Sequence, residues 1–471
     1  MCQLSKTISK DKIFIVNKSA IDNRLDAQYY SANLDLSGFV KLSSVAIVKG
    51  GKRIPKGYGY SEDATPYYYL RVADMDSDVP VDVNSLMHIS NEVFDILERY
   101  EINEGELAIS IAGTIGKTAI LKDIPVGERV ILTENCAKIL VKPNIELLSD
   151  YLKICLELPI VKKQLDLNYI QTTIPKLGLD KIVGIKLPPI PSMQKQQEIV
   201  DYINAAYAQK QAKEAEAQQL LDSIDGYLLK ELGITMPEIK TEIGNRMFVV
   251  QRRELKGRYA PSLYKDAISL HSTIYENMPL SHLAYINPNT RFPYQDKEMA
   301  ISFVPMEAVN EIYAEINGNN DCPIAETKGF TRFQEGDLLW AKITPCMENG
   351  KSAVAKGLTN GYGCGSTEFH VIRPKNDDVL VEYIHSLLHM KLVRQTAKLY
   401  FGGSAGQQRV ATDFLEDFNV PLPSKRKQQE IVDYIARIRI QAKTLREEGN
   451  IILDDAKRKV EQMIIGESMK K

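Results

Sequence analysis

The segment that most suggests chemistry is AGTIGKTAI, in which a glycine and a lysine follow an apolar run typical of a β-strand. A phosphate-binding P-loop has one glycine, four further residues and then Gly-Lys-Ser or Gly-Lys-Thr. Counting back from Gly116-Lys117-Thr118, the first glycine should stand where the sequence has Ile111. The spacing argues against a nucleotide-binding enzyme that uses this loop, which remains an alternative. A strand that ends in a Gly-Lys turn is also suited to contact a DNA phosphate.

Two histidines, His385 and His389, lie one helical turn apart and could share a metal ion. A catalytic zinc motif of this spacing needs glutamate directly after the first histidine, where this sequence has Ser386. We therefore interpret the histidines as a pair on a helix surface and predict no metal site. The sequence also lacks a DNA-methyltransferase Asn/Asp-Pro-Pro-aromatic run, a glycine-rich cofactor fingerprint and a Gly-x-Ser-x-Gly elbow. Together these gaps predict a protein that recognises and scaffolds while other chains catalyse.

The composition is that of a globular protein without a strongly basic character. The formal net charge is −2 and the pI is near 6.4, so any contact with nucleic acid must come from local basic patches. No uninterrupted apolar stretch is long enough to span a membrane, and the N-terminus does not resemble a secretory signal. The six cysteines include no Cys-x-x-Cys pair, which indicates reduced thiols. We expect a cytoplasmic protein with no membrane association.

An internal repeat organises the elements that position these residues. The nonapeptide KQQEIVDYI occurs at 195–203 and again, letter for letter, at 427–435. The match extends upstream, because EGELAISIAGTIGKTAI corresponds to EGDLLWAKITPCMENGKSAV, each with an acidic turn, an apolar run and a Gly-Lys element. A period this long indicates a duplicated domain and not a solenoid. The chain is therefore predicted to hold two copies of one module.

We predict an α+β fold in which each copy is a mixed α/β head with a twisted β-sheet, built from short strands, Gly/Pro/Asn turns and helices. After a proline-rich stop, the nonapeptide opens a helix of about 40 residues, or about 60 Å. Because each long helix has an apolar seam, we predict an antiparallel coiled coil that separates the heads, with a pseudo-two-fold internal repeat. The alternative is that each helix packs separately on its own domain. The predicted boundaries are 1–190 for the first head, 191–235 for the central helix, 236–423 for the second head and 424–471 for the C-terminal helix.

Basic, amide and hydroxyl side chains concentrate in loops of the two copies. Arg and Lys can bind guanine or phosphates, Gln can bind adenine, and Tyr and Thr hydroxyls can reach phosphates. Loops rich in glycine and lysine are often only solvated turns, but the matching of these regions between the copies favours DNA binding. In the first copy the candidates are Lys52, Arg53, Lys56, Tyr58, Lys117, Thr172, Thr173 and Lys176. In the second copy they are Thr290, Arg291, Lys342, Lys351, Ser404, Gln407, Gln408 and Arg409.

Over essentially its whole length the sequence resembles the specificity (S) subunits of type I DNA restriction–modification systems. The resemblance rests on the two-module layout and on the junctions PPIPSMQKQQEIVDYI and VPLPSKRKQQEIVDYI. It also rests on the Gly-Lys elements and on the run SAGQQ before the second long helix, where the first copy has TTIPKLG. The resemblance implies that each head is a target recognition domain. Each would bind one half of a bipartite, asymmetric site in double-stranded DNA.

The same resemblance implies that the long helices are a spacer between half-sites about 34–36 Å apart. They would dock two methyltransferase (M) subunits, with restriction/translocase (R) subunits joining outside. S-adenosylmethionine, ATP and Mg²⁺ would be used by those partners, and this chain would bind no cofactor. A protein-binding adaptor with no DNA contact is the remaining alternative. We expect the identical helix starts to face the same partner subunit, or each other, through Gln196, Gln197, Glu198, Gln428, Gln429 and Glu430.

Overall fold

The chain divides into two compact units, each of which combines residues from distant parts of the sequence. The computed structural model describes residues 34–168, 175–234, 270–293, 297–318, 320–403 and 407–468. Unit 1 is Met1–Gln211 together with Asn450–Lys471, and unit 2 is Ala212–Gly449.

The first half of the chain contains ten strands, five short helices and one long helix among the described residues. The strands are β1 (Val40–Lys41), β2 (Ala46–Gly50), β3 (Tyr67–Leu70), β4 (Met87–His88), β5 (Glu101–Ile102), β6 (Leu107–Ser110), β7 (Thr118–Ile120), β8 (Arg129–Leu132), β9 (Cys136–Val141) and β10 (Lys186–Leu187). The helices are α1 (Leu42–Val45), α2 (Asn91–Leu97), α3 (Ser149–Glu157), α4 (Pro159–Asp166), α5 (Leu179–Val183) and the long helix α6 (Met193–Glu231).

The second half contains fourteen strands and six helices among the described residues. Its strands are β11 (Asn277–Pro279), β12 (Ala284–Ile286), β13 (Ala300–Val304), β14 (Val309–Asn310), β15 (Glu315–Ile316), β16 (Asn320–Pro323), β17 (Thr331–Gln334), β18 (Leu338–Ala341), β19 (Ser352–Val354), β20 (Tyr362–Gly365), β21 (Phe369–Pro374), β22 (Phe401–Gly402), β23 (Arg409–Val410) and β24 (Asn419–Pro421). Its helices are α7 (Leu280–Leu283), α8 (Cys346–Asn349), α9 (Val381–His389), α10 (Lys391–Lys398), α11 (Thr412–Asp417) and the long helix α12 (Lys425–Ser468).

Each unit contains two four-stranded sheets with the same strand order. In unit 1 the orders are β2-β9-β6-β7 and β4-β3-β8-β5, and in unit 2 they are β12-β21-β18-β19 and β16-β13-β20-β17. The second sheet of each unit has one parallel pair, β3 with β8 or β13 with β20. The predicted duplication of one α+β module is therefore confirmed at the level of strand pairing.

The central strands are covered on both faces, which explains their continuous apolar sequences. In β6, Leu107 and Ile109 belong to a core shared with the helices, and Ala108 belongs to the core shared with the second sheet. In β18, Leu338 and Leu339 divide in the same way. Since successive side chains of a strand point to opposite faces, each run of apolar residues serves two cores.

The long helices run antiparallel where they pack together. Within unit 2, Lys213 of α6 forms an ion pair with Glu448 of α12 at 2.6 Å, and Tyr227 stacks on Tyr434 with ring centroids 3.9 Å apart. As residue numbers rise along α6, the partners in α12 fall, which defines an antiparallel pair. Within unit 1, the α6 residues Ile199 and Ile203 and the α12 residues Ala456, Val460 and Ile464 share the apolar core of the head. The helices therefore form the predicted pair and also pack on the heads.

A buried glutamine connects the start of α6 to the head of unit 1. Gln196 has no exposed surface. Its Oε1 accepts a hydrogen bond from the backbone N–H of Leu148 at 2.9 Å. Its Nε2 donates to the carbonyl oxygens of Glu146 and Pro191, each at 2.9 Å. The amide thus satisfies three backbone groups at the junction between head and helix.

Gln428 repeats this arrangement in unit 2. It is also fully buried, accepts from the N–H of Leu380 at 2.9 Å, and donates to the carbonyl oxygens of Asp378 and Pro423 at 2.9 and 3.0 Å. We therefore correct the expectation that Gln196 and Gln428 face a partner, because both amides are enclosed within their own units. The exposed members of the predicted partner surface are Gln197, Glu198, Gln429 and Glu430.

The two histidines of α9 are not a surface pair, contrary to our interpretation of the sequence. His385 is buried, with its Nε2 3.0 Å from the hydroxyl of Ser352, and His389 has its Nε2 3.1 Å from the carbonyl oxygen of Glu311. Within the described parts of the chain, no group of three His, Cys, Asp or Glu side chains is placed to hold a metal ion. Burial lowers the pKa of His385 well below its usual value and that of His389 to about 3.

We expect unit 2 to lose stability as the pH falls below about 6.5. Burial also lowers the pKa of His370, so the folded unit keeps three histidines neutral at a pH where the unfolded chain protonates them. The unfolded state then binds more protons than the folded state. The stabilisation present above the unfolded pKa of 6.5 is therefore lost as the pH falls from 6.5 towards the folded pKa, which is about 3 for His389. Each such histidine contributes up to about 1.4 kcal/mol per pH unit. Urea unfolding at about pH 7.5 and about pH 5 measures this change.

His385→Gln should reduce the pH dependence of the unfolding free energy, because it removes one buried titrating ring. Ser352→Ala is the control, since it removes the hydrogen-bond partner but keeps the ring. An identical pH dependence in wild type and His385→Gln would contradict the assignment.

Candidate nucleic-acid interface

Segments of unit 1 that the sequence analysis selected separately meet beside the sheet-connecting turn that follows β8. The backbone N–H of Lys52 donates to the carbonyl oxygen of Leu132 at 2.9 Å. The backbone N–H of Ile111 donates to the carbonyl oxygen of Asn135 at 2.8 Å. Lys176 pairs with the residue after Ile111 in an isolated antiparallel β-bridge. The loop after β2, the turn after β8 and the segment around Lys176 are thus joined by backbone contacts.

A glycine permits the closest of these approaches. The N–H of Gly51 donates to the carbonyl oxygen of Cys136 at 3.0 Å. A Cβ atom at this position would lie 2.1 Å from the carbonyl oxygen of Thr133 and 2.3 Å from that of Leu132. Any side chain at position 51 would collide with fixed backbone. Glycine is therefore required here for Lys52 and Arg53 to lie beside the turn after β8.

The loop of unit 1 presents basic side chains to solvent. Nε of Arg53 lies 2.5 Å from a carboxylate oxygen of Glu134, yet 79% of the Arg53 side chain is exposed. Lys52, Lys56 and Lys176 are exposed as well. The structure therefore brings four of the predicted DNA-binding residues of unit 1 into one connected group of segments.

Tyr58 lies in the same loop as Lys56. Its hydroxyl donates to a carboxylate oxygen of Glu92 at 2.7 Å, and this hydrogen bond raises the pKa of Tyr58. The hydroxyl is thus already engaged by a side chain of the head, although the ring is 41% exposed.

Unit 2 forms the corresponding group from different residues. The N–H of Lys342 donates to the carbonyl oxygen of Glu368 at 2.9 Å, and the N–H of Thr344 donates to that of Gln408 at 3.0 Å. Arg409 forms an isolated β-bridge with Ile343, at the place where Lys176 forms its bridge in unit 1. Gln407 and Arg291 are exposed.

Arg409 is held by a two-point ion pair. Its Nε and Nη2 donate to the two carboxylate oxygens of Glu368, each at 2.8 Å, and its Nη1 donates to the carbonyl oxygen of Gln407 at 2.9 Å. The hydrogen bonds from Arg409 lower the pKa of Glu368. This carboxylate therefore carries its charge at neutral pH.

Lys117 and Lys351 do not present their ammonium groups to solvent as the sequence analysis expected. Nζ of Lys117 donates to the carbonyl oxygen of Met75 at 3.0 Å, and Nζ of Lys351 donates to those of Met306 at 3.2 Å and Val309 at 3.0 Å. We correct the expectation for both residues, because each ammonium satisfies backbone carbonyls of its own unit and stabilises the fold.

The Gly-Lys-Thr loop joins two neighbouring antiparallel strands, β6 and β7. A P-loop instead leads into a helix, whose N-terminus binds the phosphates. Here the N–H of Lys117 donates to the Ser110 hydroxyl at 2.9 Å, which closes a hairpin, and Thr118 is buried. The nucleotide-binding alternative therefore lacks the element on which such a site is built.

Thr290 is a further correction. It is only 3% exposed, and its hydroxyl accepts a hydrogen bond at 2.8 Å from Nη2 of Arg373, which also pairs with Asp337 at 2.6 Å. Burial beneath this ion pair leaves Thr290 unavailable to DNA. Three further candidates, Thr172, Thr173 and Ser404, lie outside the described residues.

Two acidic residues that the sequence did not predict hold the arginines. Neither Glu134 nor Glu368 is among the predicted site residues. Both lie in the short turn between the second and the first sheet, in Thr133-Glu134-Asn135 and in the segment ending at Glu368. An acidic residue two or three positions after a strand in both copies was the available signal.

A family model described as type I restriction modification DNA specificity domain matches residues 35–222 and 275–450. The specificity subunit of the type I restriction enzyme EcoEI from Escherichia coli is 35% identical over 196 residues, which cover 40% of this chain and 32% of that protein. The EcoAI specificity subunit from the same organism is 34% identical over 191 residues, which cover 39% of this chain and 31% of that protein. The matched part is about a third of the length of these relatives.

Among solved structures, the S subunit of a type I restriction-modification system from M. genitalium aligns with 90% of this chain and 95% of its own, at 10% identity and a TM-score of 0.40. Across the described residues, no helix is both long and apolar enough to cross a membrane.

Proposed function

Because the chain belongs to the family of type I restriction–modification DNA specificity domains, we propose that it recognises a bipartite, asymmetric site in double-stranded DNA. Each unit binds one half-site through its candidate interface. Repetition of one topology with different exposed side chains supports this function most directly. Lys176 and Arg409 occupy equivalent β-bridges in the two units, but they differ in how they can contact a base.

The chemistry of the two interfaces fits different half-sites. The unit 1 interface combines exposed lysines with Arg53, which suits phosphates and guanine. The unit 2 interface places Gln407 and Gln408 beside Arg409, and glutamine can form two hydrogen bonds with adenine. Two dissimilar heads on one chain therefore favour an asymmetric target.

The long helices scaffold the complex in this proposal. They dock two M subunits, and R subunits join outside them. Methyl transfer from S-adenosylmethionine and cleavage driven by ATP and Mg²⁺ belong to those partners, while this chain is non-catalytic and binds no cofactor. The exposed residues Gln197, Glu198, Gln429 and Glu430 are candidates for partner contacts.

A head exchange tests the proposal. Replacing residues 1–190 with the corresponding segment of another family member should change one half of the methylated sequence and preserve the other half. Methylation sequencing of cells that carry the chain with its methyltransferase partner identifies both halves. A change in both half-sites would contradict the assignment of one half-site to each unit.

A gel-shift assay separates DNA recognition from the adaptor alternative. The purified chain is mixed with duplex DNA alone and together with the M subunit. Absence of DNA binding in both states would favour a protein-binding adaptor.

A further inference from the structure

In each unit an arginine is paired with a less exposed carboxylate on the turn between the two sheets. The side chain of Arg53 is 79% exposed and that of Glu134 is 28% exposed. The corresponding values are 41% for Arg409 and 22% for Glu368. A surface approaching either interface therefore meets the arginine more readily than the carboxylate. We propose that Glu134 and Glu368 are positioning residues that orient these arginines for hydrogen bonding to a base edge.

The carboxylates stand on backbone that is itself fixed. In unit 1 the N–H of Cys136 donates to the carbonyl oxygen of Thr133 at 3.1 Å, across Glu134. In unit 2 the N–H of Glu368 donates to the Ser366 hydroxyl at 3.2 Å. A charged group on a fixed turn can hold a long, flexible side chain in one direction, which is how supporting residues prepare a binding group.

The hydrogen bonds of Arg409 leave two of its guanidinium N–H donors unused. Arginine has five N–H donors, and three of them are used by Glu368 and the carbonyl oxygen of Gln407. The two remaining donors sit one on each terminal nitrogen. Paired N–H donors of arginine match the O6 and N7 acceptors of guanine. Glu368 thus occupies the edge formed by Nε and Nη2, and one N–H on each terminal nitrogen remains for a base.

Arg53 is held through Nε alone, at 2.5 Å from Glu134. Burial raises the pKa of Glu134, but the hydrogen bond from Arg53, with those from the backbone and Thr133, outweighs this effect and lowers the pKa overall. The pair is therefore charged at neutral pH. Exposed ion pairs contribute only about 0–1 kcal/mol to folding, so overall stability does not explain why both units have one at this place.

The two arginines reach this arrangement from different parts of the fold. Arg53 follows β2, whereas Arg409 lies in β23. The carboxylate comes from the sheet-connecting turn in both units. This difference in origin suits heads that place a donor over different base pairs of their half-sites.

The test uses Glu134→Gln and Glu368→Gln in the full chain assembled with its M subunit. We expect each variant to lose about tenfold in discrimination at one base pair of a single half-site, because the arginine is no longer fixed. The two variants should affect different half-sites. Methylation sequencing and competition binding against single-base variants of the target measure the effect.

A purely electrostatic role predicts the opposite result. Removing a negative charge without a positioning role would tighten binding to every sequence equally and leave discrimination unchanged. Glu98→Gln is the matched control, since Glu98 pairs with Arg129 at 3.2 Å at the other end of β8. It should leave the recognised sequence unchanged. Unaltered discrimination in Glu134→Gln and Glu368→Gln would overturn the inference.

A double variant guards against indirect effects. Arg53→Lys keeps the charge but loses the planar donor group. At the affected base pair, Glu134→Gln combined with Arg53→Lys should discriminate no worse than Arg53→Lys alone. Additive losses would show that Glu134 acts by another route and would overturn the inference for unit 1.

This inference rests on the proposed function, and the two can fail separately. If the wild-type complex binds no bipartite site, the proposed function fails. If it binds one and the glutamine variants discriminate as wild type does, only the positioning role fails.

Discussion

Gly51→Ala is expected to abolish recognition of one half-site and to reduce specific DNA binding by the assembled complex about 1,000-fold, to the level of non-specific binding. The new Cβ would stand 2.1 Å from the carbonyl oxygen of Thr133 and 2.3 Å from that of Leu132. Both are backbone atoms, so neither can rotate away as a side chain could. The loop that carries Lys52 and Arg53 must then leave the sheet-connecting turn. Competition binding with cognate and scrambled duplexes measures the loss.

Gly59→Ala is the matched control, in the same loop. A Cβ at Gly59 would have no heavy atom within 4 Å, and its backbone lies outside the left-handed region. This variant should bind within about twofold of wild type, since surface substitutions usually change a free energy by no more than about 0.5 kcal/mol. Cognate affinity retained in Gly51→Ala would contradict the role of the loop.

The architecture was predictable because its signals are local or repeated. The nonapeptide marks both helix starts, and the apolar seam of α12 includes Ile431, Ile435 and Ala442, all of which are buried. Burial along one face of two long helices requires a partner surface, and a repeated sequence supplies one. The same reasoning applies to the strands, where apolar runs bounded by turns indicated the sheets but not their order.

Side-chain roles were harder to predict because they depend on contacts between distant segments. The Gly-Lys turn was recognisable, yet the partner of Lys117 is the carbonyl oxygen of Met75, 42 positions away. Thr290 looked like a loop hydroxyl, but Arg373, 83 positions further along, covers it. Neither contact follows from the spacing of residues in a helix or a strand, so the sequence pattern does not indicate it.

Gln196 is different, because helical spacing could have identified it. Residues three, four and seven positions further along share its face of the helix. These are Ile199, Val200 and Ile203, and all three are buried. A glutamine on that face is predicted to be buried and must then satisfy its amide internally. Gln197 lies outside this face and is exposed.

Gln196→Ala and Gln428→Ala are each expected to lower the free energy of unfolding of their own unit by about 2–4 kcal/mol. Each substitution leaves one partly buried N–H and two carbonyl oxygens without the amide that now pairs with them. A buried polar group that loses its partner costs about 1–3 kcal/mol, and water entering the space left behind offsets part of this. Urea unfolding followed by peptide-level hydrogen exchange assigns the loss to unit 1 or unit 2.

Gln197→Ala and Gln429→Ala provide the comparison, because these exposed side chains only donate to Asp201 and Asp433 on the same helix, at 2.8 Å each. They should change the unfolding free energy by no more than about 0.5 kcal/mol. Equal, small losses at all four glutamines would show that the buried amides do not hold the heads to the helices. The expected difference would give the repeated nonapeptide two roles. Gln196 and Gln428 stabilise the junction between head and helix, whereas the exposed Gln197 and Gln429 do not contribute to the stability of the fold. A loss of M-subunit binding in Gln197→Ala with stability unchanged would identify that second role as partner docking.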